Sequence, residues 1–339
     1  MLDEIDWGSL THAYGCAADT PAHLAALTSA DPVSRQAALD HLEVAVLHQG
    51  FPSSATAPAT HVIARLLERA DVAPDVRLAL VEFLGWVADA TVIAMREDHV
   101  DDLVVALQRA VVESYPVATG FLDHADGHLR EQAVHAAVAQ VKTPALAEHR
   151  PALAARLHAR AKADTAERAW WVRRLSDLDA AEQYLADPDL AVRACAALAA
   201  GLADDARATE VIVDALSHAA EHGLAERAPY RLDELIGAAV GRVDFDRIAA
   251  SASAIIRDAD WTGFGSTWGP LLLAAFDPPY DNRHGLSPTR RDILAAAVAN
   301  PRIWNPRNGS CSLVFRRSGL PLDRESCARI VAAPGYPGR

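Results

Sequence analysis

Five groupings in this chain carry residue types that could do chemistry. The stretch DHADGH gathers Asp123, His124, Asp126 and His128, atoms of the kind that hold a divalent cation. Their spacing is not that of a helix-borne pair such as HExxH, and Asp126 stands where a helix cap belongs. No metal site is therefore expected there, or elsewhere in the chain. His135 with Glu82 or Glu131, and His284 with Asp277 and Asp281, offer an imidazole beside a carboxylate, the pairing of a general base. GFGSTWG, from Gly263 to Gly269, has the glycines of a phosphate-binding turn. No strand precedes it, its last glycine comes one residue late, and no glycine lies two residues before Ser266, so it reads as a loop. His41 and His48 lie seven apart and could share one helix face, although His41 falls on an apolar stripe where a hydrogen-bonded core histidine is the plainer reading.

The elements that must position these groups come from a repeated pattern: a turn with Asp or Pro, an arginine, then an alanine-rich apolar helix. It occurs as DPVSRQAALDHL from Asp31, APDVRLALVEFL from Ala73, DGHLREQAVHAAV from Asp126, DTAERAWWVRRL from Asp164 and DLAVRACAALAAGL from Asp189. Aligned on Arg35, Arg77, Arg130, Arg168 and Arg193, the third residue onward is Ala38, Leu80, Ala133, Trp171 or Ala196. The seventh is Leu42, Leu84, Ala137, Leu175 or Ala200. Offsets of three and seven share a helix face, so these positions predict the buried stripe, and the Asp or Pro before each arginine suits a helix start.

This pattern resembles the HEAT repeat, whose second helix opens with a D-P-x-V-R-x-x-A-like stretch. The likeness is good from Asp19 to Leu202, weaker to Ala250, and the last part resembles the end of actinobacterial HEAT-repeat proteins without naming an activity. It implies an all-α fold, an α-solenoid of stacked antiparallel helix pairs with a less regular helical C-terminal cap. The expected divisions are an N-terminal cap over 1–18, repeats over 19–257 and an irregular, aromatic-rich region over 258–339. Proteins of this kind include adaptors, transport receptors, phosphatase scaffolds, bilin lyases and a class of DNA glycosylases, so the likeness implies shape more than activity.

Composition agrees: half the residues are apolar, yet alanine is abundant and aromatic residues are few, which suits thin helix pairs. No run of 18 apolar residues is present, so no membrane span is expected. The acidic start MLDEIDWGSL lacks a basic and apolar leader, and the four scattered cysteines form no CxxC pair. Both point to a cytoplasmic setting, and plentiful Ala, Arg and Asp with little Lys points to a bacterial one. A net charge of -13 disfavours nucleic acid unless the basic residues collect on one face. Arg156, Arg160, Lys162, Arg168, Arg173 and Arg174 beside Trp170 and Trp171 are one such collection, read either as a solvated helix pair or as an anion patch with a stacking platform.

Two surfaces are the candidate binding sites. If the second helices of the repeats line a concave face, Asp40, Glu82, His135 and Arg173 project from it, with Glu43, Trp86, Asp89, Glu131 and Trp170 nearby. Such a groove is acidic at first and mixed in the middle, suited to basic peptides or organic cations, with Trp86 as a cation–π surface. The other candidate is the C-terminal region, where Trp261, Trp268, Tyr280 and Trp304 could enclose a pocket with Asp277, Asp281 and His284. Capping the last repeat is its alternative role. The leading expectation is a non-catalytic scaffold that binds a protein or peptide without a cofactor. Two others stay open: an enzyme or small-molecule binder acting on a bacterial metabolite, and, more weakly, a HEAT-like DNA glycosylase.

Overall fold

The computed structural model describes residues 2–96, 102–225, 228–283, 285–304 and 309–333. Among them the chain is mostly α-helical. The helices are α1 (Thr20–Ala26), α2 (Pro32–His41), α3 (Thr56–Leu67), α4 (Pro74–Ala94), α5 (Asp102–Gly120), α6 (Gly127–Gln140), α7 (Arg150–Ala163) and α8 (Arg168–Ser176). They continue as α9 (Leu190–Ala197), α10 (Ala206–His222), α11 (Leu232–Arg242), α12 (Ala249–Asp258), α13 (Trp268–Ala275), α14 (Pro288–Ala299), α15 (Gly309–Arg317) and α16 (Arg324–Ala332). The described strands are two short antiparallel hairpins, β1 (Thr11–His12) with β2 (Gly15–Cys16) and β3 (Leu47–His48) with β4 (Phe51–Pro52). No described helix is long and apolar enough to cross a membrane.

The chain forms two compact units, Met1–Arg156 and Leu157–Arg339. In the first, α4 packs along α5 and α6, α3 packs on α5, and α1 pairs with α2. Its centre is apolar, built from Ile63, Leu80, Phe83, Leu84 and Leu107. One buried polar link, Gln140 Nε2 donating to Ser114 Oγ at 3.0 Å, ties α6 to α5. In the second unit, α9 packs on α8 and α10, α12 on α10 and α14, α14 on α16, and α13 on α15. Leu175, Ile212, Leu216, Trp268 and Ile293 fill that core.

Local chemistry explains where the helices start. The Asp31, Asp126 and Asp189 carboxylates accept from the first free backbone N–H groups of α2, α6 and α9, and Pro32, Pro74 and Pro288 sit in the first turn, where no N–H is needed. The repeated arginines reach backward. Arg35 donates to the Ser29 and Ala30 carbonyls, Arg77 to Arg69 and Ala70, Arg130 to His124, Arg168 to Ala161, and Arg193 to Asp187 and Pro188. Each guanidinium thus closes the carbonyls left open before its own helix, a fork geometry that a lysine ammonium does not reproduce.

The apolar stripe is buried at nine of its ten positions. Ala200 is the exception, because α9 stops at Ala197 and the chain turns through a 3₁₀ segment over Ala200–Leu202, held by Gly201 N–H donating to Asp179 Oδ1 at 2.7 Å. The helix of the first copy is also shorter than its pattern. Beyond His41 it widens into a single π-type turn, Leu42–Val46, and then gives way to the β3–β4 hairpin. Gln49 and Gly50 form the hairpin turn with φ of 53° and 80°, the left-handed pair that a two-residue loop of this kind requires. His48 therefore sits on a strand, and the helical spacing that would have placed it beside His41 does not apply.

Candidate functional site

The first unit holds a pocket of about 430 Å³ between the end of α2, the β3–β4 hairpin and the C-terminal half of α4. The π-type turn is what opens it. With Leu42, Ala45 and Val46 directed into the core, Glu43 and Val44 are left exposed on the other side of the turn, along the pocket. From α4 come Trp86, Asp89, Ala90 and Ile93, at spacings of three and four that put them on one helix face. Val44 and Ile93 are 47% and 59% exposed, so among the described residues the mouth carries apolar surface.

Acidic groups surround this apolar surface. Glu43 and Asp89 line the pocket, and Glu82, one turn back on α4, stands close enough to Glu43 to feel its charge. Burial first, and the Glu43 carboxylate second, push the Glu82 carboxyl above its ordinary range. His135 of α6 lies with Nε2 3.5 Å from Asp89 Oδ2, a contact allowed by Gly85, since a Cβ there would fall 2.8 Å from His135 Nδ1. On the hairpin, His48 Nδ1–H donates to the Val44 carbonyl at 2.8 Å, which fixes the tautomer and leaves Nε2 as acceptor when the ring is neutral. The arrangement suits a cation with an apolar body: a π face, carboxylates and an apolar mouth.

The structure brings together only some of the residues expected on this face. Trp86 and Asp89 line the pocket, while Glu82 and His135 stand beside residues that do. Asp40 accepts from Gln36 Nε2 at 2.7 Å on the exposed side of α2, and Glu131 lies 4.0 Å from His128. Neither lines the pocket: Asp40 lies on α2 before the π-type turn, and Glu131 lies near the start of α6. Val44, Leu47 and the hairpin could not have been assigned from helical periodicity, since they reach the pocket through the helix's end.

Trp170 and Arg173 belong to the second unit, where three of the basic residues meet carboxylates. Arg173 bonds Asp177 and Glu234, Arg174 lies 3.3 Å from Asp177, and Arg168 lies 3.4 Å from Asp187. Trp171 is in the core, and the Arg174 guanidinium covers Trp170 at 5.8 Å. In the first unit Arg156 pairs with Asp123 at 2.7 Å. Arg156, Arg168, Arg173 and Arg174 are thus each paired with a carboxylate.

The C-terminal candidates also separate. Trp268 is fully buried and packs on Phe315, so it is a core residue and not a pocket wall. Its size and apolarity are spent on holding α13 to α15. Trp304 stacks on Phe315 with ring centres 4.3 Å apart, donates Nε1–H to the Ala297 carbonyl, and edges a pocket of about 250 Å³ with Leu322 and Arg324. Tyr280 and Asp281 border a different, open hollow of about 740 Å³ beside Gly319 and Arg329. Trp261 is 42% exposed, Asp277 is exposed before a cis bond to Pro278, and His284 lies outside the described residues. Asp126 is occupied in capping α6, accepting from Leu129 N–H at 3.1 Å.

One cluster was not legible in the sequence. His12 Nε2 lies 3.0 Å from Asp19 Oδ1, His41 Nε2 lies 3.0 Å from Thr20 Oγ1, and the His23 ring stacks on His41 at 4.0 Å. Burial, then the neighbouring His23, hold the His41 imidazole down to about 4. These residues come from a hairpin and two helices, so no local spacing signals them. The chain matches no protein-family model, and no curated protein is significantly similar to it.

Proposed function

We propose that this chain is an interaction protein of the HEAT-like α-solenoid kind, and that its first unit binds a basic segment of a protein partner in the Trp86 pocket. The observation that carries this reading is the pocket's composition: an indole, exposed Val44 and Ile93, and the carboxylates of Glu43 and Asp89 around one concavity. A lysine or arginine side chain fits such a place, its stem on the apolar mouth and its charge over the ring and between the acids. The backward-reaching arginines and the helix-on-helix packing within each unit support the repeat reading. The function is carried by surface recognition, with no cofactor in the reading.

Selection of displayed peptides on the wild-type chain, with counter-selection on Asp89→Lys, tests this. Enrichment of lysine or arginine next to an apolar residue, in peptides that bind wild type and not the variant, is expected. Selected peptides without basic residues, or with equal affinity for both proteins, overturn it. A pocket of about 430 Å³ also falls in the size range of small-ligand sites. Under this second reading free amines or guanidines bind by themselves, with an affinity that no flanking peptide improves.

A further inference from the structure

We propose that His12, Asp19 and His41 form a binding site for a divalent transition-metal ion of the Zn²⁺ type. One ligand atom from each lies within 4.8 Å of the others, and the three come from separate pieces of chain: the first hairpin, the head of α1 and the last turn of α2. Two imidazoles and one carboxylate are the donor set of an open zinc site, three protein ligands with a further position for water. Oxygen-seeking ions such as Ca²⁺ and Mg²⁺ have no use for the imidazoles. Two neutral rings and one carboxylate also leave a single negative charge to meet the dication.

Asp19 supplies the second, independent observation. It stands just before α1, as Asp31, Asp126 and Asp189 stand before their helices, but those three are extended and their carboxylates cap, whereas the Asp19 backbone is already helical. The Asp19 side chain makes no capping hydrogen bond and turns to His12 instead. A carboxylate has been withdrawn from its ordinary local use and aimed at an imidazole.

The surrounding hydrogen bonds decide what coordination requires. Tyr14 N–H donates to His12 Nδ1 at 3.1 Å, so the neutral ring carries its proton on Nε2, pointing at Asp19. A metal at Nε2 moves that proton to Nδ1 and releases the Tyr14 N–H. That group is exposed in the hairpin loop and passes to water, a small loss beside metal–ligand bonds. Thr20 Oγ1 lies 3.0 Å from His41 Nε2, a contact that sets the orientation of this ring beside Asp19.

The test uses the full chain stripped with a chelator and titrated with Zn²⁺ alone, by calorimetry and by thermal unfolding. Co²⁺ substitution reads the coordination from its visible absorption. Asp19→Asn and His12→Gln are the ligand variants. Asp19 is largely exposed and makes no cap, so Asp19→Asn keeps the fold, which its metal-free melting curve verifies. A His218→Ala, His222→Ala double variant controls for the stacked histidine pair on α10, another place where zinc can settle. One Zn²⁺ per chain is expected. Binding should weaken in each ligand variant by at least the roughly 10- to 100-fold that loss of an outer partner costs, persist in the α10 control, and raise the melting temperature of wild type but not of Asp19→Asn. The proposal is overturned by absent binding, by binding lost in the α10 control, or by binding unchanged in either ligand variant.

Discussion

Gly85 of α4 and His135 of α6 are fitted to each other: the glycine leaves room for the ring where a Cβ would stand 2.8 Å from Nδ1. The close approach seats His135 Nε2 3.5 Å from Asp89, beside the pocket. Gly85 thus gives the His135 ring its room between α4 and α6, beside a pocket carboxylate. Gly85→Ala should destabilise the protein by about 1–3 kcal/mol through overpacking, despite the better helix propensity of alanine. It should also shift the His135 ring signals in an NMR spectrum. A melting temperature at or above wild type would show that α6 can withdraw freely.

Trp86→Ala should reduce binding of a basic peptide by about five- to thirtyfold, since an indole face under a desolvated cation contributes roughly 1–2 kcal/mol. Asp89→Asn should do less, and the effect of either should shrink with added salt only to the extent that charge is involved. Trp86 is partly exposed, so its removal should leave a cooperative unfolding transition. Equal peptide affinity in wild type and Trp86→Ala would remove the pocket from the account.

Glu82 gives a pH signature with a defined sign. Its carboxyl is raised by burial and by Glu43, so the protonated form is favoured in the fold. The stability this group contributes is present below the ordinary carboxylate pKa and lost as pH rises through the raised value. Glu82→Gln should therefore be more stable than wild type at pH 7 and indistinguishable from it in acid. Affinity for a cation should fall as pH drops through the same raised value in wild type, and less so in the variant.

His41 gives the opposite sense. Held down to about 4 from the ordinary 6.5, chiefly by burial, it stays neutral in the fold while the unfolded chain takes up a proton. Stability of the metal-free protein should decline as pH falls from about 6.5 toward about 4 and level off below. The change is about 1–2 kcal/mol, the full shift being discounted for a half-buried ring. Chemical denaturation across that range, compared with His41→Gln, checks it, and parallel curves would contradict the assignment.

Arg193→Lys should cost about 1–2 kcal/mol. Its Nη1 donates to the Asp187 and Pro188 carbonyls at 2.8 and 3.0 Å, and an ammonium on a different stem cannot serve both in that geometry. Unchanged melting would mean that water closes these carbonyls equally well.

What the sequence by itself determined is local. Alanine-rich stripes at offsets of three and seven specify helices, because a 3.6-residue period puts those positions on one face. Asp and Pro before Arg35, Arg130 and Arg193 specify where helices begin, because an open N–H needs an acceptor within a few residues. Trp86 and Asp89 could be placed near each other for the same reason: they share one helix face. What only the tertiary structure decided depends on contacts between distant segments. Helical periodicity set Asp40 beside Glu43, yet Asp40 does not line the pocket, and the π-type turn that delivers Glu43 and Val44 to it could not be foreseen. The C-terminal aromatics looked alike in sequence, yet Trp268 was drawn into the core and Tyr280 left at a hollow, since neighbours and not residue type set burial. The meeting of His12, Asp19 and His41 is the extreme case: a hairpin and two helices must pack before these side chains are neighbours at all.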